Sequence, residues 1–113
     1  FKMIGDADKL KDIFVNLLTN AVKYNKPNGK IFVRADASEK MAKIDVQDAG
    51  IGMSPEVQEK LFTKFFRAST SKEGTGLGLW IVKQLVDRMH GEIKVKSKKD
   101  KGTTFTVNFL KSR

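Results

Sequence analysis

Asp48 and the two glycines that follow it form the densest chemical signal in the chain, in the run Asp48-Ala49-Gly50-Ile51-Gly52. Asp48 shares parity with Ala42, Ile44 and Val46, so a strand through these residues aims its carboxylate to the apolar side. A buried carboxylate is costly unless hydrogen-bond donors reach it. Two roles meet that need. Asp48 is a structural acid bonded to nearby backbone, or it accepts from the exocyclic amine of a flat ligand. The glycines beside it favour the ligand, because glycine lets a backbone approach closely or take φ > 0.

A second group lies upstream, in Asn16-Leu17-Leu18-Thr19-Asn20-Ala21-Val22-Lys23-Tyr24. Asn16, Asn20 and Lys23 recur at i, i+4 and i+7, which makes one polar strip on a helix. Asparagine is a mediocre helix former. A wet helix flank accounts for any one of them. Together, two amide oxygens and an ammonium suit a hydrated Mg²⁺ with phosphates, since magnesium favours oxygen ligands and keeps several waters. A third group, Gly74-Thr75-Gly76-Leu77-Gly78-Leu79, opens a helix, and helix N-termini receive phosphate. By itself such a triplet is weak; no lysine follows the glycines and no strand directly precedes them. With Gly102-Thr103-Thr104-Phe105, a hairpin-type entry to a strand, the clusters hold six of the nine glycines. They point to a nucleotide held largely by main chain. Arg67 reaches a terminal phosphate or stays a surface arginine, with nothing in the sequence to choose. His90, before Gly91, reads as a helix cap rather than a catalytic group.

The elements that would position these groups follow from periodicity. Leu10, Ile13, Phe14, Leu17, Leu18 and Ala21 make an amphipathic helix, capped by Asp6 or Asp8 and stopped at Asn25-Lys26-Pro27-Asn28-Gly29. Residues 30–37 and 41–48 alternate as a hairpin, with Ile31, Val33 and Ala35 on one face and Ala42, Ile44 and Val46 inward. Ser54-Pro55-Glu56 starts a second helix that buries Val57, Leu61, Phe62 and Phe65. Residues 68–73 read as a mobile loop. A third helix over 77–89 buries Leu79, Val82, Leu85, Val86 and Met89. Strands over 92–97 and 103–110 close the chain, with Ile93, Val95, Phe105, Val107 and Phe109 inward. Strands with one polar face need cover on the other face only. The expected fold is therefore α+β: a two-layer sandwich whose mixed, mainly antiparallel sheet is covered on one face by three helices.

Composition bounds the function. At 113 residues and 40% hydrophobic, the chain is one domain with a real core. No run approaches the ~20 apolar residues of a membrane span, and no secretory leader is expected. The opening Phe1-Lys2-Met3-Ile4 reads as a strand fragment, so a piece of a longer protein is expected. Cysteine is absent, which excludes disulfides and thiolate metal sites. The formal charge of +9 raises nucleic acid as a partner. But the lysines are dispersed, and those at 94, 96, 98 and 99 sit on the wet face of a strand. No basic stripe interleaved with aromatics is seen, so a bias toward phosphate ligands or acidic partners is expected, and no nucleic acid.

Taken in order, these motifs resemble the ATP-binding catalytic domain of sensor histidine kinases, within the wider fold shared with gyrase, mismatch-repair ATPases and certain chaperones. The resemblance runs from Gly5-Asp6 to Leu110. It rests on the boxes Asn16 to Tyr24, Asp48 to Gly52, Phe62 to Arg67, Gly74 to Leu79 and Gly102-Thr103-Thr104-Phe105. It implies that residues 1–113 are one catalytic domain, with sensor and phosphoacceptor domains elsewhere. It implies ATP and Mg²⁺ as ligands, with Asp48 on the adenine amine and Tyr24 against base or ribose. Asn20 would ligate the metal, with Asn16 and Lys23 near the phosphates and Arg67 facing the γ-phosphate. Gly50, Gly52 and Thr104 would complete the nucleotide pocket. Gly74, Gly76 and Gly78 would form the hinge beyond a short lid at 68–73, with Thr75 and Leu77 among the nucleotide-binding residues. The implied activity is phosphoryl transfer to a histidine on the parent's own dimerisation domain, and onward to a response regulator. The setting would be the cytoplasmic part of a usually homodimeric bacterial sensor, membrane-anchored or not.

Asn16 stands where ATP-hydrolysing relatives of that fold carry a glutamate that activates water. An amide is no general base, so efficient hydrolysis is disfavoured. Asn25 replaces a frequent serine or threonine, and Ala49 a frequent asparagine. Two other readings are weighed beside the kinase. One is a serine-directed kinase of the anti-sigma type, which would lack a histidine hairpin. The other is a non-catalytic nucleotide-sensing module, against which Asn20, Asp48 and the glycines stand.

Overall fold

The computed structural model describes residues 7–63 and 78–110. Seven elements run along the chain: α1 (Ala7–Tyr24), β1 (Ile31–Ala37), β2 (Met41–Asp48), α2 (Pro55–Lys60), α3 (Gly78–Arg88), β3 (Glu92–Lys98) and β4 (Gly102–Leu110). The strands form one sheet in the order β1-β2-β4-β3. Every pairing among the described residues is antiparallel. The expected α+β sandwich is what the chain adopts; each expected element is found within one or two residues where it is described, except that the second helix ends at Lys60, before the Leu61 and Phe62 it was expected to carry.

Strand β4 sits centrally because its inner face is the most apolar in the sheet. Phe105, Val107 and Phe109 are all buried, and they meet Val46 and Ala42 of β2 across the ladder. Helix α1 lays Ile13, Leu17 and Ala21 on this surface, and α3 adds Val82 and Val86 beside it. Burying side chains of this size contributes roughly 1.5–3 kcal/mol each. α2 is short. Ser54 caps it, its hydroxyl accepting from Val57 N at 3.3 Å, with Pro55 in the first turn. Leu61 and Phe62 follow the helix rather than lie in it, and the Phe62 ring meets Phe105 edge-on at 6.3 Å. Phe65 lies outside the described residues, as does Asp6; Asp8 stands inside α1 rather than at its cap.

The edge strand β1 departs from its expected packing. Ile31 joins the core, but Val33 on the same face is 47% exposed and Ala35 is open too. The helices cover β2, β4 and β3, so most of β1 projects beyond their layer. At the end of α3 the left-handed residue is His90 (φ 57), not Gly91. Gly91 N donates to Val86 O at 2.9 Å, closing the helix as the sequence suggested. Gly91 serves by lacking a Cβ, which would lie 2.6 Å from Asn108 O.

Candidate functional site

The end of β2 delivers Asp48 into the core side of the sheet, where it is only 6% exposed. Its Oδ1 accepts from Gly50 N at 2.8 Å, and the Thr103 backbone supplies a second hydrogen bond. Burial pushes the carboxyl above its ordinary 3.8, and the two backbone donors pull back against that rise. An acid so placed gains from a further donor. That is the electronic requirement of a ligand amine.

The glycines beside Asp48 are explained by protein neighbours. A Cβ on Gly50 would stand 2.0 Å from Tyr24 O, the last carbonyl of α1. Gly52 has φ +68, and a Cβ there would stand 2.0 Å from Lys98 O. Ile51 N donates to Tyr24 O at 3.3 Å, and Asp100 N donates to Ile51 O at 2.7 Å. The loop is thus wedged between the end of α1 and the β3–β4 turn. Close approach is the reason for these glycines, as expected. What approaches is main chain of the same molecule.

Strand register decides the two threonines. Asp48 pairs with Thr103, and Thr103 with Ser97, all on the inner face. Thr103 is buried and its hydroxyl lies 2.8 Å from Ser97 Oγ. Thr104 pairs with Gln47 and Lys96 on the opposite, open face, so its side chain is not brought to Asp48. Thr103 shares parity with inward Phe105, a signal already present in the sequence. Ser97 Oγ also accepts from Met53 N at 2.8 Å, tying the loop after Gly52 to β3.

Helix α1 presents Asn16, Asn20 and Lys23 along one half-buried flank, spanning roughly 10 Å at about 1.5 Å per residue. Asn16 Nδ2 donates back to Asp12 O at 2.7 Å. A Cβ on Gly78 would lie 3.2 Å from Asn16 Oδ1, so the first residue of α3 stands directly beside this asparagine. The Asn20 side chain has no hydrogen-bond partner among the described residues. Lys23 Nζ lies 5.5 Å from the centre of the Tyr24 ring, within cation–π range. Tyr24 ends the helix against the Asp48 loop. No group of three or more His, Cys, Asp or Glu among the described residues is arranged to hold a metal. The amide oxygens fit a hard, hydrated cation that takes its remaining ligands from phosphate and water.

The fold therefore brings Asn16, Asn20, Lys23, Tyr24, Asp48, Gly50, Gly52 and Gly78 to one side of α1 and to its C-terminal end. Arg67, Gly74, Thr75, Gly76, Leu77 and the lid at 68–73 lie outside the described residues. Sequence reasoning gave Thr103, Ser97 and Asn25 no individual role in the site. Asn25 Oδ1 accepts from Ala49 N at 3.2 Å, a contact across 24 residues that periodicity cannot reveal.

Residues 5–113 match the family model described as histidine kinase-, DNA gyrase B-, and HSP90-like ATPase. The sensor protein SrrB of Staphylococcus aureus is 36% identical over 110 residues, which cover 94% of this chain and 19% of SrrB. The chain thus spans about a fifth of the curated relatives it matches. Among solved structures, a mycobacterial sensor histidine kinase, MprB, superposes with TM-score 0.84 at 33% identity, over 96% of this chain and 76% of that one. The catalytic domain of histidine kinase ThkA gives 0.82 at 30% identity, over 94% and 68%. Full-length ShkA, solved in complex with AMPPNP, gives 0.81 at 28% identity, over 93% and 22%.

Proposed function

The chain belongs to the histidine kinase-, DNA gyrase B-, and HSP90-like ATPase family, and on that premise we propose that it binds Mg-ATP and donates the γ-phosphate to a histidine. One observation carries the reading: a buried, desolvated Asp48 ends β2 beside Tyr24, at the foot of a helix flank bearing Asn16, Asn20 and Lys23. Residues 1–113 are then one catalytic domain of a longer sensor kinase. The ATP analogue in the ShkA complex and the sensor-kinase relatives support this.

In this reading Asp48 accepts a hydrogen bond from the adenine exocyclic amine, and the donors Gly50 N and Thr103 N hold its carboxylate in place. Gly50 and Gly52 keep the loop close to α1 and the β3–β4 turn. Thr103 takes the part given above to Thr104. Tyr24 lies against base or ribose. Asn20 offers its oxygen to Mg²⁺, with Asn16 and Lys23 near the phosphates. When bound, the metal neutralises phosphate charge as the phosphoryl group moves. By the family resemblance Gly74, Gly76 and Gly78 would form the hinge beyond the lid, with Thr75 and Leu77 binding the nucleotide, and Arg67 would face the γ-phosphate.

In the transfer the bond from the γ-phosphorus to the β–γ bridging oxygen breaks and a phosphorus–nitrogen bond forms. ADP leaves with the electron pair. The histidine's ring proton passes to a base on the acceptor domain. Positioning and charge neutralisation supply most of the catalysis in such transfers. Asn16 offers no general base to water, so the triphosphate is kept for the histidine. The acceptor histidine would belong to the parent's dimerisation domain, and the phosphate would pass to a response-regulator receiver in a two-component pathway. The domain would then work in the cytoplasm, in a phosphoprotein anchored to the membrane or free of it.

Competition binding with ATP, ADP and GTP, with and without Mg²⁺, together with phosphate release, tests the proposal. Binding selective for adenine, strengthened by Mg²⁺ and with negligible release, is expected. Equal binding of GTP, or sustained hydrolysis, would contradict it.

A further inference from the structure

Asn25 uses all of its hydrogen-bonding capacity at one junction. Its Oδ1 accepts from Ala49 N at 3.2 Å and from Lys26 N at 3.0 Å. Its Nδ2 donates to Gly29 O at 2.9 Å and reaches Lys30 O at 3.4 Å. Two acceptor lone pairs and two donor hydrogens are therefore all engaged. The residue joins three things: the end of α1, the turn into β1, and the peptide immediately after Asp48. Gly29 makes room for it, since a Cβ there would lie 2.2 Å from Asn25 Oδ1.

We propose that Asn25 is a positioning residue for the nucleotide site, fixing the peptide that aims the Asp48 carboxylate and holding it in register with α1. The inference rests on the reading of Asp48 as the adenine acceptor. The neighbouring amides have separate partners. Ala49 N goes to Asn25, Gly50 N to Asp48 itself and Ile51 N to Tyr24 O. Only the first partner is a side chain from outside the loop. Asn20 and Lys23 lie five and two residues before Asn25 in the chain, so this side chain, beside the Ile51 N to Tyr24 O hydrogen bond, helps set how the two halves of the site stand relative to each other. An oxygen acceptor at this position meets the requirement at Ala49 N. A serine or threonine hydroxyl supplies one, and alanine does not.

The experiment measures Mg-ATP affinity by calorimetry in wild type, Asn25→Ala, Asn25→Ser, Gly29→Ala and Asp48→Asn. Amide exchange is followed at Ala49 and, as core reporters, at Val86 and Phe105. Asn25→Ala and Gly29→Ala should each weaken binding about fivefold, the effect of one ordinary net hydrogen bond. Ala49 exchange should quicken more than exchange in the core. Asn25→Ser should recover most of the affinity. Wild-type affinity in both Asn25→Ala and Gly29→Ala would overturn the proposal. So would affinity losses that merely follow core exchange, the mark of a general loss of stability. If Asn25→Ala fails to fold, Asn25→Ser and Gly29→Ala decide the matter by the same readouts. A loss in Asp48→Asn without one at Asn25 or Gly29 removes the positioning role alone. Undiminished binding in Asp48→Asn overturns the adenine reading and this inference with it.

Discussion

At the Asp48 end of the site, polar groups are already paired with protein, whereas along the α1 flank the Asn20 side chain has no hydrogen-bond partner among the described residues. Asp48 is buried, its Oδ1 accepts from Gly50 N, and the loop beside it is wedged between two backbone segments. Asn16, Asn20 and Lys23 are half-buried on a helix whose folding depends on the adjacent apolar face, through Ile13, Leu17 and Ala21. One end is rigid because it is part of the packing. At the other, the Asn20 side chain is held by no hydrogen bond among the described residues. Stability and binding should therefore be coupled at the loop and separable on the helix.

Gly50→Ala should give the largest effect. Its new Cβ would meet the Tyr24 carbonyl, and neither partner is a flexible side chain. A stability loss of about 2–3 kcal/mol is expected by urea denaturation, with weaker nucleotide binding. A variant as stable as wild type would break the claim that packing fixes the loop.

Asp48→Asn should separate the two properties at a single residue. Loss of a charged hydrogen bond should cost roughly 1.5–3 kcal/mol of ATP binding, or about 10- to 150-fold in affinity. Stability at neutral pH should stay level or rise, because the desolvated charge is gone. The pH dependence has a definite sign. Asp48 is raised above 3.8 in the folded state, so its favourable contribution is full below that value. The contribution is lost as pH rises through the raised pKa. Denaturation across this window should show wild type losing stability relative to Asp48→Asn. A flat difference would contradict the assigned cause.

On the helix, Asn20→Ala should alter stability by less than about 0.5 kcal/mol, since its side chain makes no hydrogen bond among the described residues. Asn20→Ala should weaken Mg-ATP while leaving adenosine binding unchanged. A parallel loss for adenosine would remove the division of labour between the two ends.

Much of this was readable in the sequence. The parity of Asp48 with Ala42, Ile44 and Val46 placed its carboxylate inward, and the apolar stripe of α1 left its asparagines on the flank. These are short-range consequences of strand and helix periods. Thr103 was readable by the same rule from Phe105. What periodicity lacks is the identity of a distant neighbour. It gave reason for the closeness at Gly50 and Gly52, but no means of knowing that Tyr24 and Lys98 are what stand there. Asn25 shows the same limit, because its partner lies 24 residues away. Val33 shows another: alternation marks a face, and only the placement of helices decides whether that face is covered.

The central claim is that Asp48 reads the adenine amine. Calorimetric titration of Mg-ATP and Mg-GTP into wild type and Asp48→Asn tests it directly. Wild type should bind ATP in preference to GTP, and the variant should lose the ATP signal while remaining folded. Equal ATP binding by a folded Asp48→Asn would contradict the account.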